Sequence, residues 1–389
     1  MAGLPRSPQV TEHLLMYRSG ETTQRCNSGD YMIGRVRPAL SALAGYRPGK
    51  ASGQVEAEHG IVDSIKLASN ENPWPPIAPV ADAIRAAVDG VNRYGDNTAS
   101  DVCEAIGRWQ GIPSENITVG CGSSGLLQQV FMTYVSPGDD VVFPWNSFEI
   151  YPVFCTLFDA RAVKVPLKDY AFDLDAVADA ITDKTSVVFL ATPNNPTGTP
   201  ITMGDVADFM TRIPDDVIVV IDEAYREFYD PEMGDPVVDL QPKFPNVVVT
   251  RTFSKAFGLA GLRSGYCVAH PEVIAEINKT RLPFSVNNLA QAGMLAAIEH
   301  VDGAMEQVET LIAERSRCVE SLRSAGIDVV ESAANFVFVP TGDATMELAT
   351  ELEKRGVIAR PFPEFGLRIT VGTPEQNDRW LTACTELIG

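Results

Sequence analysis

A chain of 389 residues, 45% hydrophobic and 21% charged, is long enough for two domains or for one large α/β domain with an appendage, and it excludes disorder throughout. The net charge of −20, from 31 Lys and Arg against 51 Asp and Glu, argues against a nucleic-acid partner, because nothing would neutralise a phosphate backbone. Seven scattered cysteines without a CxxC pair, and four separated histidines (His13, His59, His270, His300), offer neither a disulfide framework nor a catalytic metal site and suit a reducing cytoplasm.

Residues 1–31 are polar and aperiodic and are expected to be a loose extension, or the product of a misplaced start, with the domain proper beginning at Met32. They lack the apolar segment of a secretory signal, and no run in the chain approaches the ~18 apolar residues of a membrane span. A soluble, cytoplasmic protein with no membrane partner is therefore expected.

From about residue 115, short apolar runs (ITVG, DDVVFPW, AVKVPL, TSVVFLA, DVIVVIDEAY, NVVVT, GYCVA) alternate with amphipathic stretches such as LDAVADAI and MGDVADFMTRI. Continuous apolar strands separated by helical segments predict an α/β fold whose mostly parallel, seven-stranded sheet is sandwiched by helices. After PEVIAEINKTRLPF the texture changes to longer helices, 288–300 and about 303–325, then to two strands, NFVFV and LRITVG, around the helix TMELATELEKRG. This predicts a large domain over 75–280 and a smaller α+β domain from 32–74 and 281–389.

Four stretches carry chemistry. In GCGSSGLLQQVF a strand runs through Gly122, Ser123 and Ser124 into a helix, leaving backbone N–H groups free for an anion; a plain Gly/Ser cap is the alternative. ATPNNPTG follows a strand at a sheet edge, where Asn194 and Asn195 could bond a ligand or form a turn. In VIVVIDEAYREF five apolar residues deliver Asp222 and Glu223 to a buried strand end, where an acid needs a partner such as a protonated ring nitrogen, and Tyr225 could reach a neighbouring phenolate oxygen. In RTFSKAFGLAGLR, Lys255 lies among Thr252, Ser254 and Arg263, and an amine acts as a nucleophile only when charge or desolvation deprotonates it. A lysine for an aldehyde, hydroxyls and an arginine for a phosphate, an acid for a pyridinium and Asn/Tyr for a ring oxygen together point to pyridoxal 5′-phosphate.

These motifs, with LASNENPW near the start and LRITVG near the end, closely resemble the fold-type I aminotransferases from about Met32 to the C-terminus, in the branch of histidinol-phosphate and actinobacterial aromatic amino acid aminotransferases. The resemblance implies that Lys255 forms the Schiff base and shuttles the proton, that Asp222 keeps the pyridine nitrogen protonated, and that Asn195 and Tyr225 bond the ring oxygen. It implies a phosphate grip by Gly122, Ser123, Ser124, Thr252, Ser254 and Arg263, with Phe148 (or Trp145) stacked on the ring. Arg368 matches the arginine for the substrate carboxylate, a solvated strand-end arginine being the alternative, and Arg360 could take a substrate phosphate. Tyr94 matches a tyrosine that reaches across a homodimer to the partner's cofactor, but Gly95 stands where most relatives have proline, which predicts a looser loop.

Phe362 and Phe365 between Arg360 and Arg368 favour an aromatic amino acid over histidinol phosphate, with 2-oxoglutarate or glutamate as the second substrate. The alternatives are histidinol-phosphate aminotransferase, a decarboxylase on the same fold, or a non-catalytic ligand sensor. The last would carry a helix-turn-helix for which 31 residues are too short.

Overall fold

The seven apolar runs read above become the strands of one sheet. In chain order the strands are β1 (Ile65–Lys66), β2 (Ile117–Cys121), β3 (Asp140–Trp145), β4 (Arg161–Pro166), β5 (Thr185–Ala191) and β6 (Ile218–Asp222), then β7 (Val247–Thr252), β8 (Ser264–Val268), β9 (Phe336–Val339), β10 (Val357–Ile358), β11 (Arg360–Phe362) and β12 (Gly366–Thr370). This computed structural model describes residues 37–43 and 49–389. The extension 1–31 and the start at Met32 lie outside the described residues.

The large sheet has the order β2-β8-β7-β6-β5-β3-β4. Neighbours from β7 through β4 pair in parallel, and β8 runs antiparallel to both β2 and β7. Because side chains alternate along a strand, each central strand feeds two cores. Val187, Phe189, Ile218, Val220 and Val248 pack on one face, under the helices Gly122–Tyr134, Ile150–Leu157 and Pro271–Lys279. Val188, Leu190, Val219, Ile221, Val247 and Val249 fill the other. Burial on both sides is why these runs are apolar throughout rather than alternating.

The C-terminal part builds a three-stranded antiparallel sheet, β11-β12-β9, in which Arg360 and Arg368 are cross-strand partners. The two-residue strands β1 and β10 pair in parallel and tie the segment before residue 74 to this part of the chain. Helix ends follow local chemistry. The Asn287 side chain caps Asn288–Glu299 by accepting from Ala290 N at 2.9 Å, and Thr373 with Gln376 forms a reciprocal cap on Pro374–Ile388. Among the described residues no helix is long and apolar enough to cross a membrane.

One close approach sets the geometry of the sheet edge. Gly265 in β8 lies so near the start of the helix Gly122–Tyr134 that an added Cβ would sit 2.7 Å from Ser123 N and 2.8 Å from Arg251 O. Backbone atoms there have no room to yield. Gly265→Ala is expected to lower stability by about 1–3 kcal/mol in thermal or urea unfolding, whereas Gly53→Ala, with nothing within 4 Å of the new methyl, should be neutral or stabilising.

Candidate active site

Strands β2, β5, β6 and β7 all end, and β8 begins, on one edge of the large sheet, which opens onto a cavity of about 380 Å³. In a mostly parallel sheet this edge is where ligands commonly lie. Asp222 closes β6 and Lys255 follows the end of β7 by three residues, and both line this cavity. The Asp222 carboxylate is 4% exposed; it accepts from the Tyr151 hydroxyl at 2.8 Å on Oδ2 and from Thr250 Oγ1 at 3.2 Å on Oδ1. Lys255 Nζ donates to Ser69 O at 3.0 Å, and Asn70 Nδ2 donates to the Tyr225 hydroxyl at 2.8 Å.

A second wall is the N-terminus of the helix Gly122–Tyr134, where Ser123 and Ser124 face Thr252, Ser254 and Arg263. Gly122 has φ +70°, and a Cβ there would lie 2.7 Å from Arg263 Nη2. The glycine therefore admits a guanidinium beside backbone N–H groups that have no partner within the helix, a cradle for an anion such as a phosphate. The third wall holds Phe148, Asn195 and Arg368. Arg368 is buried; its Nη1 donates to Asn195 Oδ1 and its Nη2 to Ala68 O at 2.6 Å. An amine, an acid, an anion cradle and a planar cation thus converge on one space.

Over residues 62–383 the sequence matches the family described as aminotransferase class I and II. The chain belongs to this family. Relatives include the aromatic amino acid aminotransferase of Streptomyces avermitilis, 43% identical across 89% of this chain and 96% of that protein, and that of Thermobifida fusca, 42% identical across 89% and 95%. A histidinol-phosphate aminotransferase from Sinorhizobium meliloti, solved in complex with pyridoxal-5′-phosphate, superposes with a TM-score of 0.84 at 29% identity, covering 91% of this chain and 97% of that one. The expected fold type and transaminase activity are thereby shown for this aminotransferase.

Electrostatics in the aminotransferase pocket favour a reactive amine. Desolvation, reinforced by the Arg368 guanidinium and then by Arg263 and Lys66, pushes Lys255 down to about 7, with Glu71 opposing. Burial pushes Asp222 up to about 6, while the Tyr151 and Thr250 hydroxyls pull the other way and Glu223 adds to the rise.

Of the residues singled out in the sequence, Lys255, Asp222, Tyr225, Ser123, Ser124, Phe148, Asn195, Thr252, Ser254, Arg263 and Arg368 line the cavity, and Gly122 backs Arg263. Trp145 does not line it; Lys164 Nζ sits 4.2 Å over its ring. Asn194 is turned into the fold, where it bonds Ser147 and Thr197. Arg360 lies beside the cavity rather than in its lining and pairs with Glu149 at 2.5 Å. Tyr94 is 80% exposed and stacks on Phe284 with ring centroids 4.4 Å apart. Around its loop, Asn288 and Gln291 donate to the carbonyls of Arg93 and Asp96 at 2.9 Å, and a side chain at Gly95 would meet Asn288 Oδ1.

Arg251, in the same stretch as Lys255 and Arg263, lies elsewhere: alternation along β7 turns it to the opposite face, where it pairs with Glu223 at 2.7 Å and Asp235 at 2.6 Å. His59 contacts Glu353 at 3.4 Å, and Lys50 bridges Glu58 and Glu353. Ser69, Asn70, Glu71 and Tyr151 received no role in the sequence reading, although the first three lie in a quoted motif, LASNENPW. The depressed Lys255 predicts that borohydride trapping of a small aldehyde on the protein saturates above about pH 7, not above about 10 as for an exposed lysine. Peptide mapping should place the adduct on Lys255, and a profile centred near 10 would contradict the pocket electrostatics.

Proposed function

We propose that this aminotransferase moves an amino group between an aromatic amino acid and 2-oxoglutarate, using pyridoxal 5′-phosphate, in the reducing cytoplasm that its free cysteines suit. The observation that carries this reading is that Lys255, Asp222 and the Ser123–Arg263 cradle occupy one cavity. The residues fit the cofactor, because the Arg263 guanidinium admitted by Gly122, the helix N-terminus and the hydroxyls of Thr252 and Ser254 form an anion cradle in the same cavity as a buried acid. When bound, the cofactor supplies an aldehyde that condenses with amines and a ring that withdraws electrons.

Each residue then has a physical task. Lys255, increasingly neutral above about pH 7, would be the amine that meets the aldehyde and would move the proton at the substrate Cα. Asp222, ionised above about pH 6, would be the partner of the ring nitrogen, and Tyr225 and Asn195 would bond the ring oxygen. Phe148 would pack against the ring. Ser123, Ser124, Thr252, Ser254 and Arg263 would hold the phosphate, and Arg368 would grip the substrate carboxylate through its planar fork. We read residues 75–280 as the cofactor-binding domain and 32–74 with 281–389 as the small domain that brings Arg368.

The choice of an aromatic side chain is supported by the names of the relatives and by Arg360. Glu149 already neutralises that guanidinium, and Phe362 lies between Arg360 and Arg368, 5.9 and 5.8 Å from them. A substrate phosphate would have to displace the carboxylate. Histidinol phosphate is the second reading, favoured by the likeness to the Sinorhizobium meliloti structure. The exposed Tyr94–Phe284 stack supports a homodimer in which Tyr94 reaches the partner's pocket.

Lys255→Ala is expected to abolish turnover and the visible absorbance of the lysine-bound cofactor; an active variant would refute the assignment. Phenylpyruvate with glutamate should exceed histidinol phosphate with 2-oxoglutarate in kcat/KM by at least about tenfold, and the reverse order would establish the second reading. Light scattering should return twice the chain mass, and a fully active monomer would remove Tyr94 from the site.

A further inference from the structure

Tyr151 is fully buried, yet it is the residue that ties the Phe148 wall of the cavity to the acid at its base. It stands in the first turn of the helix Ile150–Leu157, three residues after Phe148. Its ring stacks on Phe189 with centroids 4.7 Å apart and 16° between planes, meets Phe148 edge-on at 5.7 Å, and leans on Phe143 at 5.7 Å. Rings packed in this way leave the hydroxyl one direction, and it is spent on Asp222 Oδ2 at 2.8 Å. The other carboxylate oxygen takes the Thr250 hydroxyl from the adjacent strand, where Thr250 is the register partner of Asp222.

We propose that Tyr151 is a positioning residue for Asp222: with Thr250 it fixes the plane of the carboxylate toward the cavity and stabilises its anionic form as the partner of a cationic ring nitrogen. A buried carboxylate that lacked these donors would hold its proton more tightly, and a neutral acid would leave the ring nitrogen without a counter-charge. The groups that act on Asp222 are Tyr151 from the helix above it, Thr250 from β7, and Glu223, next in the chain, whose carboxylate lies on the opposite face with Arg251. Of these only the two hydroxyls favour the anion.

The proposal rests on the reading of the cavity as a pyridoxal phosphate site, and the test separates the two. The apo-protein is titrated with pyridoxal phosphate between pH 5 and 9, for the wild type and for Tyr151→Phe, which keeps the ring and removes the donor. In the wild type, affinity should fall as pH drops through about 6, where Asp222 takes up its proton. In Tyr151→Phe this fall should move upward by roughly one pH unit, so that the dissociation constant at pH 6 rises about fivefold while that at pH 8.5 changes less than about twofold. The kcat should drop with little change in KM, because substrate contacts are untouched. A variant whose binding profile coincides with that of the wild type, even with a lowered melting temperature, overturns the proposal and leaves Tyr151 as core packing. Should Tyr151→Phe not fold, Thr250→Val probes the same carboxylate from β7 and decides by the same shift. A wild type that binds no pyridoxal phosphate through Lys255 would sink the reading of the site instead.

Discussion

A carboxylate sealed beneath the edge of a sheet is the constraint around which this molecule is arranged. Removing a charge from water costs several kcal/mol unless donors replace the lost solvent. Asp222 meets that demand with one hydroxyl from each side, Tyr151 from the helix above and Thr250 from the next strand. Both donors depend on wider order: Thr250 on the parallel register of β6 with β7, and Tyr151 on a packed set of aromatic rings that includes Phe189 of β5. The acid, the sheet register and the aromatic core are therefore parts of one arrangement.

The large sheet could be read from the sequence because its strands are covered on both faces, and uninterrupted apolar runs such as SVVFL and VIVVI have few other uses. The residues that crowd the strand ends were legible for a related reason: Asp222, Lys255, Asn195 and Ser123 stand where such runs stop, and chemistry collects there. Direction was harder to read. Asp222 and Glu223 are adjacent acids, but the two-residue period sends Glu223 to Arg251 and Asp235 on the far face. Nothing local says which face holds the cavity, and for the same reason Arg251 could not be told apart from its basic neighbours.

Tyr151 and Asn70 escaped the sequence reading for another reason. Their roles exist only through partners 71 and 155 positions away, Asp222 and Tyr225. A buried tyrosine in an apolar helix reads as core, which it also is. The Ser69–Glu71 stretch reaches the cavity through strands of two residues, too short to leave a periodic signal, and the Arg360–Glu149 pair likewise joins segments 211 positions apart.

That short join has a consequence for how the fold gives way. The link between the segment around Leu67 and the C-terminal part runs through a few backbone bonds: Ile65 N to Gly356 O at 2.8 Å, Leu67 N to Ile358 O at 2.9 Å and Thr370 N to Leu67 O at 2.8 Å. Lys255, Asp222 and the anion cradle belong instead to the seven-stranded sheet and its helices. Partial opening at this narrow seam would release Asn70 and the Ala68 carbonyl that steadies Arg368 before it disturbed the sheet. On heating, the Arg368 guanidinium would lose the carbonyl that steadies it while Lys255 and Asp222 still lined one cavity.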